Sequence, residues 1–131
     1  MRRFAIVLLV LATLLYSQDK KRKPPKPPDV TILSVHGQRL PHRVAIDGRA
    51  KNTGLKPIAG LMLLIDFLGT DNQVLTTKKG PVEAELLELG AEADFRLEVT
   101  DPVRAVRFQF NAEDAGGRDL RVENRGPFVI E

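Results

Sequence analysis

Val106-Arg107-Phe108-Gln109-Phe110-Asn111-Ala112-Glu113 decides the fold class. Its apolar members, Val106, Phe108, Phe110 and Ala112, fall on every second position with polar residues between them, so an extended chain sends the two sets to opposite faces. The same period of two appears where Val44, Ile46, Gly48 and Ala50 alternate with Arg43, Ala45, Asp47, Arg49 and Lys51. It appears again where Phe95, Leu97 and Val99 alternate with Asp94, Arg96 and Glu98. A strand with one dry face needs a second layer over that face. Leu61 to Leu68 is apolar on both faces and reads as a central strand, with Met62 and Leu64 on its solvent side and partly exposed.

Turn signals separate these runs: Asn52-Thr53-Gly54 with Pro57, Gly69-Thr70-Asp71-Asn72, Leu89-Gly90, Asp101-Pro102 and Gly116-Gly117. The pattern predicts seven strands near 30–36, 42–52, 58–68, 73–80, 92–100, 104–114 and 118–124, with 82–89 crossing between two sheets. A turn is expected over Gly37 to Pro41. Pro127 marks the last residues as an edge or a tail, because proline has no ladder donor.

Residues 29–131 are enough for one hydrophobic core, and the chain holds no cysteine, so packing and hydrogen bonds hold the domain without disulfides. Ahead of it, Met1-Arg2-Arg3 leads into an apolar run from Phe4 to Tyr16 and then into Asp19-Lys20-Lys21-Arg22-Lys23-Pro24-Pro25-Lys26-Pro27-Pro28. The apolar run is 13 residues long, the length of a signal-peptide core and too short for an upright membrane-spanning helix. The expected organisation is a signal peptide over 1–18, a basic proline-rich linker over 19–28 and the β domain over 29–131. An uncleaved anchor over 4–16 is the alternative to cleavage. Either way the domain is expected outside the cytoplasm, periplasmic or secreted.

Seven of the 20 basic residues and one of the 17 acidic ones precede residue 29, which leaves the domain three acids in excess. The high isoelectric point therefore belongs to the leader. A nucleic-acid surface on the domain is disfavoured, since phosphate binding needs clustered positive charge there. The linker residues Lys20, Lys21, Arg22 and Lys23 read first as a solubilising spacer, with contact to a membrane surface or an anionic envelope polymer as the functional reading.

Ser34, His36 and His42 are the domain's whole stock of serine and histidine. Ser34 and His36 share a face of an extended strand, but no G-x-S-x-G pattern accompanies them, so no catalytic triad is expected. His36 and His42, brought together across a 37–41 turn with Met62 or a carboxylate, form a thin metal-ligand set. No calcium-loop or phosphate-loop spacing occurs, and no cofactor is expected.

The run Gly48-Arg49-Ala50-Lys51-Asn52-Thr53-Gly54, then Leu64-Ile65-Asp66-Phe67-Leu68-Gly69-Thr70-Asp71-Asn72-Gln73-Val74-Leu75, then Leu89-Gly90-Ala91-Glu92-Ala93-Asp94-Phe95 resembles the FxLYD-type domains of exported bacterial proteins. The likeness spans about residues 44 to 114. It departs from the family where Asn72 stands in place of glycine, where no proline precedes Gly90 and where the hairpin lacks a tyrosine. The resemblance implies an immunoglobulin-like antiparallel β-sandwich of about seven strands behind an N-terminal apolar helix. It also implies an envelope location, and it carries over no catalytic motif. The function expected is a non-enzymatic structural or binding module for an envelope protein or polymer. The alternative is a small-ligand or metal-binding periplasmic protein using His36 and His42. The binding candidates are Met62 and Leu64, an exposed strand edge, and the basic linker. Lys78, Lys79 and Arg121 are expected to blunt such edges against pairing.

Overall fold

The computed structural model describes residues 26–131. The expected export segment and Lys20, Lys21, Arg22 and Lys23 lie outside the described residues. What is described is all-β: two packed sheets with no helix among the described residues.

The first sheet runs β10-β1-β2-β7, from β1 (Val30–Leu40), β2 (Arg43–Asn52), β7 (Glu92–Thr100) and β10 (Val122–Glu123). The second runs β11-β8-β4-β5, from β4 (Met62–Leu68), β5 (Val74–Pro81), β8 (Arg107–Glu113) and β11 (Phe128–Val129), with β9 (Asp119–Leu120) also beside β8. A two-stranded ribbon of β3 (Ile58–Ala59) and β6 (Leu86–Leu87) closes one end. All pairings are antiparallel except β1 with β10, which is parallel, where the family resemblance implied an antiparallel sandwich.

The alternating runs form as their period requires. Val44, Ile46 and Ala50 of β2 and Ala93 and Phe95 of β7 are buried against Leu63, Ile65, Phe67, Phe108 and Phe110 of the other sheet. The Phe95 and Phe110 rings meet edge to face across the layers, with centroids 5.5 Å apart at 72°. Burial of each such ring contributes about 1.5–3 kcal/mol.

Several expectations are corrected. The first strand does not stop at His36 but continues to Leu40, and the turn falls at Pro41-His42, with His42 at φ 63°. Proline followed by a positive φ is the backbone of a type II turn. Gly37, read as a turn residue, lies buried in β1 because the Phe108 ring of the facing sheet rests where its side chain would be. The expected strand 58–68 is broken at Gly60, whose φ is 59°, into β3 and β4. The expected strand 118–124 is two strands, since β9 pairs with β8 in the second sheet and β10 with β1 in the first. β11 is an edge strand, and Glu131 then bonds to Gly37 and Arg39 of β1. Glu83 N–H donates to Asp94 O of the first sheet, directly after β5 of the second, so this segment crosses between the sheets as expected.

Leu33 is a bulge in β1, since Ile32 faces Ala50 and the next pair is Ser34 with Arg49. Gly48 answers it from β2. A side chain there would run into the Ser34 carbonyl oxygen and come within 2.8 Å of the Phe95 ring.

Candidate functional site

Register places the singled-out residues. Ser34, Arg49 and Asp94 form one row across the outer face of the first sheet, and His36, Asp47 and Arg96 form the next. These rows border a shallow, open depression of about 630 Å³ lined by Ser34, Asp47, Arg49, Glu83, Asp94 and Arg96 among others. Its charges answer one another: Arg49 Nε donates to Asp94 Oδ1 at 2.9 Å and Arg96 lies 3.9 Å from Asp47. The Arg49 guanidinium is held above its ordinary value, first by the hydrogen bond to Asp94 and then by that carboxylate's charge.

Ser34 and His36 do share a face, but His36 Nε2 is hydrogen-bonded at 2.9 Å to Glu131 Oε2 and not to Ser34. His36 and His42 are not brought together. His36 faces Asp47, five register positions from His42, about 16 Å along a strand rising ~3.3 Å per residue. Among the described residues no three metal-ligating groups converge.

Met62 and Leu64 are half-buried on the outer face of the second sheet. Beside them Asp66, only 9% exposed, accepts from Thr77 Oγ1 at 2.7 Å, Asn111 Nδ2 at 3.0 Å and Gln109 Nε2 at 3.2 Å. Three neutral donors thus satisfy both oxygens of a nearly buried carboxylate.

Asn52, the first residue of a turn signal in the sequence, does more than turn the chain. Buried to 1% exposure, its Nδ2 donates to Lys56 O at 2.8 Å and Leu87 O at 2.9 Å, while its Oδ1 accepts from Gly54 N–H at 3.0 Å. It ties the 53–57 loop to β6; the Gly54 bond is the local turn the sequence signals, while the partners Lys56 and Leu87, 4 and 35 residues away, are not marked by it.

On one flank of the molecule β5 and β7 are the outer strands of their two sheets. The flank's inner row is shared, since a side chain on Gly80 would come within 3.0 Å of Leu97. Main-chain bonds fix which groups face outward. Asn52 N–H donates to Ala91 O and Asp101 N–H to His42 O, in the register of the β2–β7 ladder. Antiparallel bonds recur at every second residue, so odd-numbered residues of β7 bond to β2 and even-numbered ones point away. Asp94 O, accordingly, takes the N–H of Glu83. The N–H and C=O groups of Arg96, Glu98 and Thr100 have no main-chain partner among the described residues. In β5 the bond from Val82 N–H to Leu61 O puts Thr77 and Lys79 in the same position.

The residues expected to blunt edges divide. Lys78 and Lys79 lie on β5, Lys79 held 3.0 Å from Glu113. Arg121 lies between β9 and β10, its N–H donating to Asp29 Oδ2.

No protein-family model matches the chain, and no curated protein matches it in sequence. Several solved structures are similar to most of the chain at low identity. Bacteroides uniformis β-glucuronidase is 18% identical over 80% of this chain, with a TM-score of 0.50, and the match spans 13% of the enzyme. IrmA from Escherichia coli is 12% identical over 82% of this chain and 99% of its own, with a TM-score of 0.46. Kluyveromyces marxianus β-glucosidase is 14% identical over 88% of this chain and 17% of its own, with a TM-score of 0.42. Likeness at such identity concerns the fold and not the chemistry.

Proposed function

We propose that this chain is a non-enzymatic binding module of the bacterial envelope, an immunoglobulin-like sandwich of the FxLYD type that is exported and contacts a protein or polymer partner. The observation that carries the reading is the flank on which two sheets present open edges side by side. Unpaired main-chain donors and acceptors in an ordered row favour the addition of an extended chain. The resemblance to exported domains and the basic leader ahead of the sandwich support an envelope location, with the linker as the spacer that holds the module off its tether. Nothing in the register favours the metal-binding alternative.

The test is photo-crosslinking in a bacterial host. The reactive residue is placed at Thr77, at Glu98, and at Gln38 on the outer face of the first sheet as a control. Discrete adducts from the two flank positions, recovered with the envelope fraction and absent at Gln38, are expected. Recovery of the protein from the cytosol, or equal adducts at all three positions, would overturn the reading.

A further inference from the structure

The two edges of the flank are not equivalent. β5 is defended three ways: Leu75 is left unpaired where Phe67 faces Thr76 and Leu68 faces Val74, Lys78 sits on the inward row opposite Ile65, and Pro81 ends the strand. Bulges, inward-pointing lysines and prolines are the devices that stop strands from adding to an edge. β7 has none of them between Arg96 and Thr100: its register to β2 is unbroken, and the inward residues Leu97 and Val99 are apolar and half-buried.

We propose that β7 over Arg96–Thr100 is the docking edge, and that its occupant is an extended partner segment reading acid–base–apolar–acid, added antiparallel. This rests on the binding-module reading and gives it a site and a partner chemistry. The order follows from the flank. A residue opposite Glu98 on the outer face is basic, and one opposite Arg96 is acidic, because directly opposed charges of opposite sign stabilise a strand pair. On the inner row the residue opposite Leu97 is apolar. The register that joins Glu83 to Asp94 and Gly80 to Leu97 carries Lys78 to Val99, so the residue opposite Val99 is acidic. Read along the antiparallel partner, these positions run acid, base, apolar, acid.

A second copy of the chain is a poorer occupant. The triplet Arg96-Leu97-Glu98 is its own antiparallel complement, but pairing it with itself puts Thr100 of the other copy opposite Asp94, a place Glu83 holds. The partner strand must end there, as a short segment does and β7 does not.

The test uses the isotope-labelled protein and the capped peptide acetyl-Thr-Glu-Lys-Val-Glu-amide, followed by NMR to millimolar peptide. The expected result is saturable shifts at the amides of Arg96, Glu98 and Thr100, with the inverted peptide acetyl-Thr-Lys-Glu-Val-Lys-amide about tenfold weaker. The double variant Arg96→Glu with Glu98→Lys should lose the preference for the first peptide. Glu98→Pro removes an outward N–H that β2 does not use, so it should abolish binding while leaving the fold's melting temperature within a few degrees. Shifts confined to β5, equal binding of the two peptides, or no shifts at β7 would overturn the proposal. So would slow hydrogen exchange at Arg96 and Glu98 in the free protein, which would show the edge already covered by another copy. If envelope adducts form at the flank while neither peptide shifts β7, the module reading survives and the strand chemistry fails.

Discussion

Replacing Asn52 with alanine tests whether the end of the sandwich is held by one side chain. The variant keeps the main-chain bonds from Asn52 N–H to Ala91 O and from Gly90 N–H to Asn52 O, so it isolates the amide. That amide makes three bonds, to Lys56 O, Leu87 O and Gly54 N–H. At a net value near 1 kcal/mol each they sum to about 3 kcal/mol, and the buried Leu87 carbonyl left without its donor sets this as a lower figure. Against a total stability of about 5–15 kcal/mol for a small domain this is severe. The expected outcome is a urea midpoint lowered by ~2 M at an unchanged slope, with a melting temperature lower by roughly 15 °C. Asn52→Asp sharpens the case. A carboxyl buried against two carbonyl oxygens has its folded pKa raised above the unfolded ~3.9. The variant is therefore most stable below that value and loses stability as pH rises through the folded one. Asn52→Ala costing less than ~1 kcal/mol, or Asn52→Asp gaining stability toward neutral pH, would refute the reasoning.

Other outcomes follow from single contacts. Gly48→Ala should cost about 1–3 kcal/mol in chemical denaturation, because the new methyl meets the Ser34 carbonyl at the bulge and the Phe95 ring. His42→Gly should raise stability by roughly 0.5 kcal/mol in the same assay, the relief of a left-handed residue exceeding the added freedom of the unfolded chain. Asp114 has its carboxyl held below the usual 3.8, first by the Arg118 backbone N–H, so its contribution is present above that value and lost as pH falls through the lowered one. Acid titration of melting temperature should accordingly be shallower in Asp114→Asn than in the natural protein. Asp66→Ala leaves Thr77, Gln109 and Asn111 donors without their acceptor and should cost about 2–3 kcal/mol.

The strands legible in the sequence are those whose faces meet different surroundings. β2, β7 and β8 each send apolar residues into the core and polar ones to solvent, and that contrast is written at every second position. Turns were marked locally as well: Asn72 at φ 59° and Gly90 at φ 75° lie in turns that the sequence signals. What escaped was set by partners far along the chain. Gly37 looks like a turn until Phe108 of the other sheet is laid over it. The change of sheet between β9 and β10 depends on β8 and β1, neither of them near in sequence. The docking edge was visible only as a class of feature, since choosing β7 over β5 takes the bulge, the crossing at Glu83 and the bond parity together.

The short pairing of Glu131 with β1 has a mechanical consequence. Glu131 N–H donates to Gly37 O and Glu131 O accepts from Arg39 N–H, the alternation of a parallel pair. Val30 begins β1 and Glu131 sits beside its far half, so a pull applied between residues 29 and 131 draws the two segments past each other along their length. Both bonds are then loaded together in shear and cannot be unzipped one at a time. The parallel pairing of Val122 and Glu123 with Val30 and Thr31 lies on the same strand and resists the same slide. Force spectroscopy between those points should show one abrupt rupture, and deleting Glu131 should lower its force before it changes the unloaded melting temperature appreciably.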